Sequence, residues 1–244
     1  MSETTEIEVT TPAAESVDMM DKAKSFWSKN SKTVIYGGIA VILILASYIG
    51  YEKLIKEPKE LKAAETVFLA ENIFDKMAST GFNKDSVNIV LNGGVLDGAN
   101  ITGLLKVINN YGGTKTADRA TFMAGACYLQ IKEYDKAIKY LKDFNGADAT
   151  QIKSKAFLMM GHAYAEKNQV TEAMAAYKNA AEVNTKDEAV TPDALMVCGA
   201  YAEYNNKNAE AIEFFKKLKD NYPLYSAVSS GEVDKRLARL GEFN

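Results

Sequence analysis

The stretch SKAFLMMGHAYAEKNQVTEAMAAYKNAAE, residues 154–182, reads as two apolar helices separated by the polar turn Lys167-Asn168-Gln169. Gly161 and Ala173 lie twelve positions apart and put one small residue on each helix, where two antiparallel backbones must approach closely. Phe157, Tyr164, Tyr177 and Ala180 complete the framework of large and small residues around them. The pattern occurs twice more. Upstream, Asp118 to Asp148 carries Gly125, Tyr128, Tyr134, Ala137 and Leu141; downstream, Pro192 to Pro223 carries Leu195, Gly199, Ala211 and Phe215. Recurrence of a helical hairpin about every 36–38 residues predicts an all-α solenoid of stacked pairs, each burying its apolar face on the next.

Flanking signals extend this reading. Lys132-Glu133 and Asn205-Asn206-Lys207-Asn208 are the other two turns. Thr191-Pro192-Asp193 predicts a helix start with Thr191 as cap and proline in the first turn, and Tyr222-Pro223 closes the last unit. Ahead of the repeats, Glu60 to Met77 predicts one long amphipathic helix with Leu61, Ala64, Phe68, Leu69, Ile73 and Met77 on its buried side. A second helix is expected from Ile101 to Asn110, and the two read as a degenerate leading repeat split by a loop around Asn92-Gly93-Gly94. Gly231 to Leu240, with Val233, Leu237 and Leu240 on one face, predicts a C-terminal capping helix over the last apolar surface.

Residues 33–51, TVIYGGIAVILILASYIGY, contain no charge and lie between Lys32 and Glu52. Nineteen helical residues cover roughly 28 Å, close to the hydrocarbon thickness of a bilayer. Phe26, Trp27, Tyr36, Tyr48 and Tyr51 stand near its ends, where interfacial aromatics belong. The run begins late and lacks a small-x-small cleavage site after it, so it reads as an uncleaved signal anchor rather than a cleaved leader. Four lysines precede the span (Lys22, Lys24, Lys29, Lys32) and four follow it (Lys53, Lys56, Lys59, Lys62), so positive charge leaves the orientation open. The small size of the leading side favours a cytoplasmic N-terminus and an exported domain. The expected organisation is a largely disordered tail (1–32), the transmembrane signal anchor (33–51), a linker helix with the degenerate leading repeat (52–113), three repeats (114–223), and a capping helix with its tail (224–244).

Formal charge is −3, of which the segment through Lys32 carries −2 (six acids, four lysines) and the part after the span −1. A near-neutral domain has no electrostatic footprint for nucleic acid, and no small-molecule substrate site is legible. The two cysteines, Cys127 and Cys198, fall on the first helices of the first and third units and read as small core residues. The single histidine, His162, has no metal-ligand spacing around it, and Asn92-Gly93-Gly94 lacks the lysine of a phosphate-binding loop. The expectation is therefore no enzyme, no catalytic residue, no metal and no cofactor.

The three units resemble the tetratricopeptide repeat family over roughly residues 118–223, departing at Phe144 and Leu218 in the last small position and at Ala202 in place of tyrosine. In that family the first helices line a concave face. The resemblance implies a partner-binding groove of Arg119, Phe122, Ala126 and Leu129, then Lys155, Leu158, Met159, His162 and Glu166, then Asp193, Met196, Ala200 and Glu203. The alternative for these residues is packing against the neighbouring repeat or the cap. Family members that grip acidic chaperone tails use Lys, Arg and Asn on these helices. Here the matching places hold Phe122, Ala126, Met159, Asp193 and Val197, so that clamp is missing.

The layout of tail, span and repeat domain further resembles bacterial inner-membrane tetratricopeptide proteins, among them the ancillary subunit family of the Sec translocon. The run Ile108-Asn109-Asn110-Tyr111-Gly112-Gly113-Thr114 is similar to Bacteroidetes members of that group. That resemblance implies a single-pass inner-membrane protein with a periplasmic domain. Its partners would be translocon subunits, emerging chains or periplasmic chaperones, and its span would meet translocon helices through Gly37, Gly38, Ala40 and Ala46. A periplasmic scaffold of envelope or division machinery and a cytosol-facing import receptor remain as alternatives.

Overall fold

The computed structural model describes residues 12–147 and 149–243. It divides into two units that part at Pro58, and each is described by itself.

The first unit holds helix α1 (Pro12–Tyr51) and a π-helical stretch, Glu52–Lys56. Residues 1–11 of the expected tail lie outside the described residues. From Pro12 onward the stretch expected as a disordered tail is helical, and no Gly or Pro interrupts it between Ala13 and Tyr36. The chain contains, among the described residues, one helix long and apolar enough to cross a membrane; its most apolar 18-residue window has a mean hydropathy of 2.0, and none of that window is buried. Ile39, Val41, Ile42, Leu43, Ile44 and Leu45 all stand exposed, an arrangement that water would penalise and hydrocarbon would not.

The second unit begins within helix α2 (Glu57–Thr80) and continues through α3 (Lys84–Asn92), a hairpin of β1 (Gly94–Leu96) and β2 (Ala99–Ile101), and α4 (Leu104–Asn110). Three helical hairpins follow: α5 (Lys115–Gln130) with α6 (Tyr134–Asp143), α7 (Thr150–Glu166) with α8 (Val170–Glu182), and α9 (Thr191–Tyr204) with α10 (Asn208–Asn221). The short α11 (Ser226–Ser229) and α12 (Glu232–Arg239) end it. The architecture is an all-α solenoid with a C-terminal capping helix, and its interior is three successive apolar clusters rather than one closed core.

Each hairpin is locked by the same interlock. A Cβ on Gly125 would lie 2.6 Å from Leu141 Cγ, on Gly161 2.3 Å from Tyr177 Cε1, and on Gly199 2.5 Å from Phe215 Cε1. The glycine thus seats the large residue sixteen positions later against bare backbone. Ala137, Ala173 and Ala211 are fully buried at the second close approach. The turns repeat as closely. Lys132, Asn168 and Asn206 take left-handed φ values of 65°, 58° and 58°. In each turn the next residue donates its N–H to the carbonyl five back, at 2.9 Å, on Tyr128, Tyr164 and Ala202.

Several local expectations need correction. The buried face of α2 is Ala63, Val67, Ala70 and Met77, whereas Leu61, Phe68 and Leu69 are exposed. Close approach of helix to helix selects the alanines, and the larger apolar residues fall on the opposite side. The segment between α2 and α4 is a helix and a β-hairpin rather than a loop, and Ile101 belongs to β2. Helix α9 has Val190 at its cap position, with no side-chain cap; the Thr191 hydroxyl instead donates to the Asn184 carbonyl at 2.7 Å. The cap expected at Gly231–Leu240 does form, with Val233 and Leu237 buried and Gly231 left-handed at its start.

Candidate functional site

The groove residues all lie on α5, α7 and α9, the first helices of the three hairpins, but their surroundings differ. On α5, Ala126 is buried, Leu129 is half-buried on the leading core, and Phe122 packs against Phe144 with ring centroids 5.5 Å apart. Arg119 is held by Glu71 of α2, with Nε and Nη2 donating to the two carboxylate oxygens at 2.6 and 3.0 Å.

On α9, Met196 and Ala200 are half-buried, and the polar residues are taken up by the cap. Asp193 accepts a 2.7 Å hydrogen bond from Tyr225 Oη; burial, then that bond, push the Tyr225 hydroxyl up to about 12. Glu203 accepts from Arg236 at 3.0 Å and from Arg239 at 2.9 Å, so the end of α9 anchors α12. Within α12 itself Arg236 also bonds Glu232.

The middle helix presents the remaining accessible stretch. Lys155 is exposed, Leu158 is half-buried against the C-terminal core, and Met159 is half-buried against the central one. His162 is exposed, with Nδ1 2.9 Å from Tyr177 Oη, and Tyr177 in turn meets Tyr201 edge to face at 5.1 Å. Desolvation lowers the His162 pKa against the opposing pull of Glu166, which favours the neutral ring. Glu166 accepts from Tyr134 Oη at 3.0 Å, and Lys167 pairs with Asp135, which ties this hairpin to the one before it. Lys155, Leu158, Met159 and His162 therefore form an apolar strip bordered by one cation and one imidazole.

Sequence reasoning named Tyr134 only as repeat framework and did not single out Tyr225, Arg236 or Arg239; all four hold polar groove residues from 32 to 36 positions away. No local pattern signals pairs at such separations. A surface depression of about 540 Å³ lies at the start of α5, lined by Thr114, Asp118, Phe144, Gly146 and Ile152 among others. Of its two carboxylates, Asp118 is already used, accepting the N–H groups of Asn145 and Gly146 at 2.8 and 3.0 Å, and Asp143 is the other. Among the described residues no three His, Cys, Asp or Glu side chains come together. Cys127 and Cys198 are free and fully buried, and desolvation raises both thiols to about 12.

Two stretches match tetratricopeptide repeat family models, residues 119–145 and residues 158–226. A crystal structure of the MamA protein is similar at 19% identity and a TM-score of 0.47, covering 73% of this chain and 87% of that one. No curated protein sequence matches the chain. The three hairpins are thus similar to tetratricopeptide repeats over these stretches, and such repeats indicate a protein–protein interaction scaffold.

Proposed function

We propose that the protein is a membrane-anchored interaction scaffold of the bacterial inner membrane, an ancillary subunit of the Sec translocon with its repeat domain on the periplasmic side. The observation that carries the anchor is the unburied run of α1 from Ile39 to Leu45, which has no apolar cover among the described residues. The proposed orientation is compatible with the flanks: four lysines stand on each side of the span, and a domain of well over a hundred residues behind it translocates largely regardless of loop charge. The span then presents Gly37, Gly38, Ala40 and Ala46 to neighbouring helices; added Cβ atoms at both glycines would meet nothing, so a partner backbone can come close there.

In this reading the strip of Lys155, Leu158, Met159 and His162 receives a segment of an emerging chain or a periplasmic chaperone, methionine and leucine supplying an adaptable apolar wall. The cation clamp for acidic tails is missing, and Arg119 is spent on Glu71, which counts against a cytosol-facing chaperone receptor.

Solubilising native membranes in mild detergent, pulling on the repeat domain and identifying what co-purifies tests this directly. Translocon subunits in stoichiometric amount are expected. Envelope or division proteins without the translocon would keep the fold and replace the function. Leu158→Asp with Met159→Lys should abolish partner capture while circular dichroism stays helical; lost helicity would instead place both residues in the core.

A further inference from the structure

The stretch of α1 ahead of the uncharged run, from Met19 to Lys32, is amphipathic. At about 100° per residue, Met19, Met20, Phe26 and Trp27 fall within an arc of about 120° on one side of the helix. They are 72%, 61%, 58% and 54% exposed. Lys22, Lys24, Lys29 and Lys32 lie on the rest of the circumference, and the first two border the apolar stripe on either side. Asp21 is the one acid among them, because five of the six acids ahead of the span precede Met19. Asp21 comes no nearer to Lys24 than 3.9 Å, at full exposure, and Lys29 and Lys32 make no ion pair among the described residues.

We infer that residues 19–32 lie along the surface of a bilayer containing anionic lipid, the stripe seated at the acyl boundary and the lysines among the headgroups. The inference rests on the anchor reading above and goes beyond it, since an anchor by itself needs nothing ahead of Thr33. Reach and charge decide the occupant. The span begins at Thr33, so Met19 is tethered within about 20 Å of the hydrocarbon, and the bilayer surface is always at hand. A stripe carrying tryptophan and phenylalanine opposite a lysine face suits that surface better than water or the hydrocarbon interior. Lysine stems cover the borders of the stripe while their ammonium groups meet anionic headgroups. Seating the stripe bends α1 where it turns into the span, with the lysine face outermost. Asn30 interrupts the stripe at that end, and Asn30 and Ser31 are both weak helix formers. On the outer side the Ser25 and Ser28 hydroxyls donate to the carbonyls of Lys22 and Ser25 at 2.9 and 3.0 Å, serving carbonyls that bending tilts outward.

Trp27 is the only tryptophan in the chain, so its fluorescence reports on this segment alone. A helix running straight out of the bilayer would carry position 20 about 20 Å from the hydrocarbon edge, whereas a seated one keeps it at the acyl boundary. The full chain is captured in nanodiscs of phosphatidylcholine, alone or mixed with phosphatidylglycerol, with part of the lipid brominated along its acyl chains. Three forms are compared: the native chain, Trp27→Phe with Met20→Trp, and Trp27→Phe with Ser25→Trp. In mixed discs the brominated lipid should quench tryptophan at 27 and 20, while position 25, on the lysine side, stays open to acrylamide. Removing phosphatidylglycerol should free position 20, as should salt at about 1 M, where the Debye length is about 3 Å. In the Met20→Trp chain, Lys24→Gln and Lys29→Gln should each lower the ratio of seated to free segment about fivefold. Equal quenching at 20 and 25, or quenching at 20 that ignores both phosphatidylglycerol and salt, would overturn the inference. So would a tryptophan at 20 hidden from acrylamide yet untouched by brominated lipid, which marks a protein partner instead. Discs that hold the chain but leave position 20 unquenched sink this inference alone; chain that stays out of the discs sinks it together with the anchor.

Discussion

The three repeats and the segment before them both depend on glycine at a close approach, and they use it differently. In the repeats Gly125, Gly161 and Gly199 each make room for a side chain: Leu141, Tyr177 and Phe215. In the leading segment Gly103 makes room for backbone, since a Cβ there would lie 2.4 Å from the Asn92 carbonyl carbon and the Gly93 nitrogen. Gly93 faces the same crossing, with a Cβ position 2.7 Å from the Ile101 carbonyl oxygen and a φ of 87°. A side chain can turn aside; a peptide plane at the end of a helix cannot. The repeats are therefore a tunable packing, and the crossing after α3 is a fixed joint.

The largest effect should come from testing that joint. Gly103→Ala must displace backbone and is expected to cost about 3 kcal/mol or more, read as a loss of the urea midpoint. Gly161→Ala displaces only the Tyr177 ring and should cost less, about 2 kcal/mol, and Tyr177→Leu in the same chain should recover much of it. Equal costs at positions 103 and 161, or no recovery, would erase the distinction between joint and packing.

A second contrast is how each part is fastened. The repeats are locked chiefly by apolar interlock, whereas α2 adds to its buried Ala63, Val67 and Ala70 a set of polar contacts to the start of α5. The Glu60 carboxylate accepts from the N–H of Lys115 at 2.7 Å, the N–H of Thr116 at 2.9 Å and the Thr116 hydroxyl at 2.6 Å. Lys59 donates to the Gly112 carbonyl at 2.7 Å. Glu60 thus caps a helix that begins 55 residues later, satisfying donors that the helix cannot. Burial raises its pKa, but the Thr116 and Lys115 hydrogen bonds outweigh burial and hold it below the usual carboxylate value. A depressed folded-state pKa stabilises above the unfolded value and is lost as pH falls through the folded one, so α2 should loosen as pH falls below the ordinary carboxylate range. Glu60→Ala should cost about 1 kcal/mol and Glu60→Gln should abolish that acid dependence, seen by hydrogen exchange in α2 and the first turn of α5.

The smallest effect concerns the turns. Lys132 holds the left-handed conformation that asparagine holds at positions 168 and 206. Asparagine tolerates that region better, so Lys132→Asn should raise stability by about 0.5 kcal/mol, and Asn168→Lys should lower it by a similar amount.

These contrasts also mark what was legible in the sequence. Spacing alone disclosed the repeats, because each glycine and its buried alanine recur at a constant offset, which physical packing of identical hairpins demands. Helix α2 was misread because it carries apolar residues on both sides. Size suggested Leu61, Phe68 and Leu69 as the buried set, and close approach took Ala63, Val67 and Ala70 instead. The groove was legible as positions and not as environments: Arg119 and Glu203 find Glu71, Arg236 and Arg239 across 33 to 48 residues, and nothing local encodes such partners.

The two buried thiols give the molecule a pair of built-in clocks. Cys127 sits in the first hairpin and Cys198 in the third, both fully enclosed and protonated at neutral pH. Neither can react until its own hairpin opens, so the rate at which each is labelled measures how often that end of the array breathes. One chain, without any engineered probe, thereby reports whether the solenoid frays from its first hairpin, from its capped finish, or from both at once.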